Sequence, residues 1–209
     1  MDSSDSTFPE RTGGSYAGIL LAAGRGRRFD PSGAQSKLLQ RLPDGEAVAV
    51  RAAKNLRAAT AAMLAVVPPG APVLAAELTA AGIAVSECSD ADLGMATSLT
   101  HGLRASADAD GWIIALGDMP FVRPDTIARL LQALAQGAQI AVPVHDGRRG
   151  NPVAFGRAHL TRLLQLTGDT GARKLLQAYP VCEVAVDDAG IHRDIDTPED
   201  LRAAADWRG

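Results

Sequence analysis

The stretch AGILLAAGRGRRF, residues 17–29, decides the fold of this chain, because an apolar run ends abruptly in a glycine-rich basic segment. The run AGILLAAG carries no charge, which is typical of a strand buried on both faces of a sheet. Gly24 and Gly26 then interrupt the strand, and three arginines follow within the segment. On these residues alone, the segment is either a solvated basic turn or a cradle for a ligand with several negative charges.

Outward from this stretch, short apolar segments alternate with Ala- and Leu-rich helical segments. We predict strands at 17–24, 63–69, 83–88, 111–120, 139–147, 151–155 and 181–188, and helices at 47–59, 73–82, 94–107, 124–137, 171–179 and 197–207. This alternation predicts an α/β fold with a mostly parallel central sheet and helices on both faces. Ligands in such sheets bind at the carboxyl ends of the strands, which directs attention to the loops after residues 23, 88, 117 and 186.

The length and composition limit the class of protein. The chain has 209 residues, 46% of them hydrophobic, and no internal repeat or linker, so we predict one domain over 15–209 after a disordered polar segment at 1–14. The net charge of −3 and the aromatic content of 4% argue against a nucleic-acid-binding or membrane-binding surface. No apolar run approaches the ~20 residues of a membrane span.

The cysteines and the amino terminus indicate the compartment. Cys88 and Cys182 form no CxxC pair and are accompanied by no histidine cluster, so we predict neither a zinc site nor a disulfide framework. The first residues lack the apolar core of a signal peptide. We therefore expect a protein of the reducing cytoplasm.

The glycine-rich segment fails two phosphate-binding motifs. The dinucleotide fingerprint GxGxxG would need a glycine where Phe29 stands, and the P-loop would need Lys37 to follow a glycine rather than Ser36. What remains is a turn whose amides can face phosphate oxygens, with Arg28 and Lys37 as candidate cationic partners.

Asp118 follows the apolar run WIIALG, so we place it at the mouth of a buried strand, on the ligand side of the sheet. A carboxylate in that position can hold Mg²⁺. The alternative is a structural turn residue preceding Pro120.

Asp196 lies in DIDTPEDL, residues 194–201. We predict Thr197 as the N-cap of a helix, with Pro198 at its first position and Asp200 three residues after the cap. Asp196 is then free to point elsewhere, on the same side of an extended backbone as Asp194. The alternative is an acidic cluster on the surface.

A basic glycine-rich loop and two separate carboxylates at strand ends suit phosphoryl or nucleotidyl transfer, which asks a protein mainly for positioning and charge neutralisation. This chemistry needs no protein nucleophile, and the sequence offers no Ser-His or Cys-His signature. The four histidines are scattered along the chain, and we interpret them as surface or packing residues.

Six segments, in this order, resemble the MobA-like NTP transferase family, whose fold is a Rossmann-like three-layer sandwich of the nucleotide-diphospho-sugar transferase type. They are LAAGRGRRF with the following KLL, LGMATSL (93–99), GDMPFV (117–122), GRRGNPVAF (147–155), GDTGAR (168–173) and DIDTPEDL. Their combination is similar to the molybdenum cofactor cytidylyltransferase (MocA-like) branch, and the resemblance covers roughly residues 16–206.

The resemblance implies a Mg²⁺-dependent enzyme that joins CTP to the terminal phosphate of the molybdopterin cofactor, releases pyrophosphate and serves a molybdenum hydroxylase. It implies catalytic roles for Arg28, Lys37 and Asp118, and metal ligation by Asp118 and Asp196. It further implies a nucleotide site formed by Leu21, Ala22, Ala23, Gly24, Arg25, Gly26, Lys37, Gly94, Ser98 and Asp118, and an acceptor site formed by Arg149, Gly150, Asn151 and Pro152.

The sequence departs from the family pattern in two places. Asp30 stands where the family usually has a glycine, and the extra segment PSGAQS precedes Lys37. The pair Ala22-Ala23 replaces a glycine pair found in guanylyl-transferring relatives, which by analogy favours a pyrimidine nucleotide.

Three other functions fit the same motifs. These are guanylyl transfer to the same cofactor, cytidylyl transfer to another phosphorylated acceptor, and a non-catalytic nucleotide-binding chaperone that delivers cofactor to an oxidoreductase. A dehydrogenase is disfavoured because the dinucleotide fingerprint fails.

Overall fold

The computed structural model describes residues 15–24, 26, 28–30, 32, 35–168 and 172–207. The predicted disordered segment 1–14, Arg25 and residues 169–171 of the GDTGAR motif lie outside this part of the chain. All seven predicted strands and all six predicted helices are present, with ends that differ by a few residues.

Within the described residues there are eight strands, seven α-helices and five 3-10 helices. The strands are β1 (Tyr16–Leu21), β2 (Ala62–Val67), β3 (Ala84–Glu87), β4 (Gly111–Leu116), β5 (Ile140–His145), β6 (Arg148–Arg149), β7 (Val153–Gly156) and β8 (Cys182–Ala185). The α-helices are α1 (Val48–Ala59), α2 (Pro72–Ala80), α3 (Met95–Ala105), α4 (Pro124–Ala135), α5 (Leu160–Leu164), α6 (Arg173–Ala178) and α7 (Pro198–Ala203). The 3-10 helices are Lys37–Leu39, Ala91–Leu93, Arg157–His159, Ala189–His192 and Ala204–Asp206.

The strands form one mixed sheet in the order β3-β2-β1-β4-β7-β5-β6, with β8 also paired to β5. Strands β3, β2, β1 and β4 are parallel, β7 is antiparallel to both neighbours, and β8 is parallel to β5. The chain proceeds from β1 through β2 to β3 on one side and then crosses to β4 on the other. The carboxyl ends of β1 and β4 therefore flank a topological switch point, where sheets of this kind bind ligands.

Helices cover both faces of the sheet, as the alternating pattern predicts. Apolar side chains of α1, α2 and α4 form one core with Leu20 and Ile113 of the sheet. Those of α3, α5 and α6 form a second core on the opposite face with Ile19 and Trp112. Leu20 and Ile19 are both fully buried, so β1 is covered on its two faces, which explains its uninterrupted apolar sequence.

The predicted elements differ from the observed ones mainly at the carboxyl ends of the strands. Strand β1 ends at Leu21 and β4 at Leu116, so the last predicted strand residues belong to loops that border the switch point. Strand β6 and helix α5 are not predicted. Helix α5 has five residues and a single buried one, Leu163, which is too short to show a helical period.

Helix α3 approaches β1 closely because it carries a glycine where it crosses the sheet. A Cβ atom on Gly102 would lie 2.7 Å from Cγ2 of Ile19 and 3.2 Å from Cγ2 of Val66. This contact fixes the distance between α3 and the sheet, and thereby places the amino terminus of α3 beside the end of β1.

We predict that Gly102→Val lowers the free energy of unfolding by about 1–3 kcal/mol, because the added methyl groups overpack a core that already lies in contact. Urea denaturation measures the change. Ala105→Val, on the exposed face of the same helix, is the matched control and should cost only a few tenths of a kcal/mol. Equal stabilities for the two variants would contradict the close approach.

Candidate active site

The loops that leave β1 and β4 lie side by side at the switch point. The backbone N–H of Gly117 donates to the carbonyl of Leu21 at 2.9 Å, and that of Ala22 donates to Val66 at the same distance. Beside them opens a cleft of about 410 Å³, lined by Leu21, Ala23, Gly24, Gly26, Lys37, Leu38, Ala91, Asp92, Gly94, Met95, Ser98, Leu116 and Asp118.

A lysine between two carboxylates lies at this cleft. Nζ of Lys37 lies 2.6 Å from Oδ2 of Asp118 and 2.5 Å from Oδ1 of Asp196. NH1 of Arg28 donates to the other oxygen of Asp196 at 2.7 Å. The Lys37 side chain is 9% exposed, whereas that of Arg28 is 81% exposed, so the lysine is the enclosed centre of this charged cluster.

The electrostatics of the cluster favour the charged forms of Lys37 and Asp196. Burial alone would lower the pKa of Lys37, but the carboxylates of Asp118 and Asp196 raise it above its ordinary 10.5. Burial would raise the pKa of Asp196, but hydrogen bonds and charge from Lys37 and Arg28 hold it below its ordinary 3.8. The ammonium and the Asp196 carboxylate are therefore both charged at neutral pH.

Asp196 reaches the cluster because its segment is attached to the loop after β4. The N–H of Ile195 donates to the carbonyl of Asp118 at 2.8 Å. Ile195 is also buried in a small apolar cluster with Phe29, Leu42, Val48 and Ala204. Phe29 directly follows Arg28 in sequence, and Ile195 directly precedes Asp196. The apolar cluster therefore supports the backbone beside both ion-paired residues.

A capping box at α7 completes this support. The Thr197 hydroxyl accepts from the N–H of Asp200, and the Asp200 carboxylate accepts from the N–H of Thr197, as the sequence predicts. The same carboxylate also accepts from the N–H of Asp196 at 3.1 Å. Asp196 thus has its backbone held by α7, and its side chain is free to face Lys37, while Asp194 remains exposed.

The two oxygens of the Asp118 carboxylate differ in their contacts, since Oδ2 accepts from Lys37 and Oδ1 does not. Its Oδ1 is buried and accepts no hydrogen bond from the part of the chain that the structure describes. An unsatisfied carboxylate oxygen beside a second carboxylate is a donor set that suits a hard divalent cation. No cluster of three or more histidine, cysteine or acidic residues with metal-site geometry occurs among the described residues, so any cation here would complete its shell with substrate or water oxygens.

The amino terminus of α3 forms the opposite wall of the cleft. Gly94 precedes the helix with φ of 119°, a conformation that side-chain-bearing residues rarely adopt. Ser98 is buried at 3% exposure, one turn into the helix. The N–H of Ala96 donates to the carbonyl of Gly168 at 3.0 Å, which places the start of the GDTGAR motif against this wall.

The extra segment before Lys37 is organised by Asp30. Its carboxylate accepts from the N–H and hydroxyl of Ser32, at 2.9 and 2.6 Å, and from the N–H of Gln35 at 2.8 Å. The residue that departs from the family glycine therefore closes a local turn, and the lengthened loop still delivers Lys37 to the cleft.

The residues predicted to bind the acceptor divide into two groups. Asn151 and Pro152 border a small hollow with Leu116 and Met119, next to the loop that carries Asp118. Gly150 donates its N–H to Pro143 at 2.9 Å, and Arg149 donates to Glu183 on β8 at 2.7 Å. Asn151 and Pro152 therefore lie at the same sheet edge as the cleft, whereas the guanidinium of Arg149 is engaged farther out.

Most of the predicted nucleotide-binding residues line the cleft, and Ala22 does not. Its side chain is 1% exposed and packs in the core beneath α1, so only its backbone belongs to the loop. The sequence reasoning missed Leu38, Ala91, Asp92, Met95 and Leu116 as lining residues, although Asp92 and Met95 flank the noticed Gly94. It also missed the apolar cluster that contains Phe29 and Ile195. The sequence does show an apolar residue next to each of the charged residues Arg28 and Asp196, which could have indicated this cluster.

Other expectations have mixed outcomes. Both cysteines are free thiols, Cys88 buried and Cys182 exposed. The histidines are distant from one another in sequence, and in the fold the rings of His145 and His192 lie with centroids 6.2 Å apart. A search of the described helices for one with the length and apolarity of a membrane span finds none.

The MobA-like NTP transferase domain matches residues 18–184 of the sequence. The chain belongs to the MobA-like NTP transferase family. It is thus a member of the nucleotidyltransferases, and the resemblance noted from its motifs is confirmed, as is the α/β fold class.

The chain is similar to three curated proteins that bear different names. The bifunctional protein GlmU of Bradyrhizobium sp. is 30% identical over 80% of this chain and 38% of its own length. The molybdenum cofactor cytidylyltransferase of Escherichia coli K12 is 28% identical over 53% of this chain and 56% of its own length. The phosphoenolpyruvate guanylyltransferase of Thermomonospora curvata is 33% identical over 73% of this chain and 66% of its own length. The matched region therefore spans between 38% and 66% of these relatives.

Solved structures agree with this fold. Rv0371c of Mycobacterium tuberculosis H37Rv matches with a TM-score of 0.81 and 30% identity, over 94% of this chain and 100% of that chain. A complex of the same protein with manganese matches with a TM-score of 0.76 and 28% identity, over 92% and 98%.

We predict that Thr197→Val lowers the free energy of unfolding at pH 7 by about 1 kcal/mol, because the capping hydroxyl is lost. Burial would raise the pKa of Asp200, but hydrogen bonds from Thr197 lower it below 3.8. The stabilisation is therefore present above pH 3.8 and is lost as the pH falls through the lowered pKa. Urea denaturation at several pH values measures both effects.

Thr79→Val, on the exposed face of α2, is the matched control, since it makes the same substitution at a threonine that is not an N-cap. A loss for Thr197→Val that is no larger than for Thr79→Val, or that persists undiminished in acid, would contradict the role of the capping box.

Proposed function

We propose that the protein, as one domain over residues 15–209, transfers the cytidylyl group of CTP to the terminal phosphate of the molybdopterin cofactor. The products are molybdopterin cytosine dinucleotide and pyrophosphate, and the reaction uses Mg²⁺. The observation that carries the proposal is the Lys37 ammonium between Asp118 and Asp196, at a cleft beside the glycine-rich loop. This arrangement supplies the positive charge and the cation ligands that phosphate chemistry requires.

In this reaction an oxygen of the acceptor phosphate attacks the α-phosphorus of CTP, and the bond to the bridging oxygen of the β-phosphate breaks. Both reactants are polyanions, so the protein must offset repulsion while it aligns them. The exposed Arg28 and the enclosed Lys37 would meet the triphosphate, and Gly24 and Gly26 line the same cleft. No protein group needs to act as a nucleophile.

Asp118 and Asp196 would hold the Mg²⁺ ion, and the unsatisfied Oδ1 of Asp118 is the feature that fits this role. When bound, the cation would reduce the negative charge on the phosphate oxygens and favour departure of pyrophosphate. The manganese complex of Rv0371c supports the use of a divalent cation within this fold.

The specificity of the proposal rests on the walls of the cleft. Ala23 and the α3 terminus, from Gly94 to Ser98, would enclose the base, while Asn151 and Pro152 would meet the acceptor near Asp118. The similarity to the E. coli cytidylyltransferase supports the molybdopterin acceptor, and a molybdenum hydroxylase is the partner that we propose to receive the product.

A second candidate follows from the Thermomonospora relative, which acts as a phosphoenolpyruvate guanylyltransferase. In that case the same cleft would use GTP, or a smaller phosphorylated acceptor would replace the molybdopterin cofactor. A nucleotide-binding chaperone would share every contact described above, but it would release no pyrophosphate.

We predict that, with Mg²⁺ and the molybdopterin cofactor, the protein consumes CTP in preference to GTP and ATP, because polar groups left unpaired by the wrong base disfavour it. Competition between the nucleotides, with products separated by mass, tests this preference. Ala23→Gly should widen the base pocket and admit some GTP, whereas Ala22→Gly changes a core residue and serves as the control.

A guanine dinucleotide as the main product would overturn the pyrimidine assignment but retain nucleotidyl transfer. Binding of nucleotide without any pyrophosphate release would favour the chaperone.

We predict that Asp118→Asn lowers the rate of pyrophosphate release by on the order of 10²-fold or more, because the amide cannot replace the carboxylate charge. The secondary structure, measured by circular dichroism, should remain. Asp108→Asn, in an exposed turn, is the control with the same chemical change. A near-normal rate for Asp118→Asn would remove this carboxylate from the mechanism.

A further inference from the structure

Three of the four carboxylate oxygens that could hold the cation already have a positively charged partner, and the exception is Oδ1 of Asp118. Oδ2 of Asp118 and Oδ1 of Asp196 each accept from the single ammonium of Lys37, at 2.6 and 2.5 Å. A Mg²⁺ ion held by both carboxylates, at about 2.0–2.1 Å from each bound oxygen, would need the space between them that Nζ occupies. Two cations cannot share this position, because they would overlap and repel each other.

The Lys37 side chain borders a second hollow besides the cleft. With Gly24, Gly26 and Leu38, it forms the wall between the cleft and this second hollow of about 340 Å³, which is bordered by residues 68–74. The stem lies beside Gly26, where an added Cβ would be 3.4 Å from Cγ of the lysine. Rotation of the unbranched stem would carry Nζ from the carboxylates toward the glycine-rich loop.

We propose that Lys37 and the divalent cation compete for the carboxylates of Asp118 and Asp196, so that the cation binds tightly only when a triphosphate draws the ammonium away. This inference rests on the proposed nucleotidyl transfer. Distal phosphates at the glycine-rich loop would give Nζ new anionic partners and would release the carboxylate pair. By linkage, the triphosphate and the cation strengthen each other's binding by the same factor.

The competition has a consequence for the order of events. A nucleoside monophosphate lacks the distal phosphates, so it would leave Lys37 on the carboxylates and leave cation binding weak. The site would then assemble only around the substrate that can react. Once pyrophosphate has left, the returning ammonium would help to expel the cation.

The test uses cation binding to the protein without nucleotide. Free Mn²⁺ is measured by electron paramagnetic resonance in titrations of the wild type, Lys37→Met and Lys54→Met. Methionine keeps an unbranched stem without the charge, and Lys54 is a surface residue paired with Glu46, so its variant is the matched control. We expect Lys37→Met to bind Mn²⁺ at least about tenfold more tightly than the wild type, or about 1.4 kcal/mol, and Lys54→Met to match the wild type.

The double variant Lys37→Met/Asp118→Asn locates the site and should lose the tightened binding. Thermal denaturation with and without Mn²⁺ guards against misfolding, since the cation should stabilise Lys37→Met more than the wild type. Binding by Lys37→Met that is no tighter than in the wild type would overturn the competition.

A second readout follows the lysine itself. The sequence contains only three lysines, Lys37, Lys54 and Lys174, so side-chain nuclear magnetic resonance gives three resolvable signals. Saturating diamagnetic Mg²⁺ should shift the Lys37 signal alone, identified by its loss in Lys37→Met. Mg²⁺ binding that leaves this signal unchanged would also overturn the proposal. Neither readout requires turnover, so failure here is distinct from absence of pyrophosphate release, which tests the proposed function.

Discussion

An enclosed lysine ammonium must have counter-charges, and in this chain that requirement joins three segments that are far apart in sequence. Lys37 begins the 3-10 helix that follows β1, Asp118 lies in the loop after β4, and Asp196 lies in the segment before α7. An unpaired ammonium at 9% exposure would be strongly disfavoured, so the folded state holds the three segments together at the switch point. Phe29 and Ile195 belong to one apolar cluster, which orders the backbone next to Arg28 and Asp196.

Local sequence patterns predicted seven of the eight described strands and located the sheet edge at which the charged cluster lies. The uncharged runs before Gly24 and Asp118 identified two central strands, and their ends located the ligand edge, because parallel strands in open sheets bind ligands there. The capping box at Thr197 and Asp200 could be recognised for a similar reason, since its groups are within four residues of each other. Features of this kind depend on neighbours in sequence, and a single sequence displays them.

Features that depend on pairing between distant segments could not be predicted. The contact of Lys37 with Asp196 depends on a lengthened loop whose turn is closed by Asp30, and nothing in the sequence states the reach of that loop. The engagement of Arg149 by Glu183 follows from the pairing of β5 with both β6 and β8, which the strand pattern leaves open. The burial of Ala22 beside the partly open Ala23 reflects the strand's end at Leu21, and strand ends are the least certain feature of a sequence pattern.

The charged cluster includes a residue, Asp196, that lies beyond the end of the family match. The family match stops at residue 184, at the last strand of the sheet, whereas Ile195, Asp196 and the capping box of α7 all follow it. A shortened protein cut at the end of that match would retain every strand of the parallel half and the cleft beside β1. It would nevertheless leave Lys37 with one carboxylate in place of two and would remove the apolar partners of Phe29. The segment after the sheet therefore contributes part of the charged cluster, although it lies outside the family match.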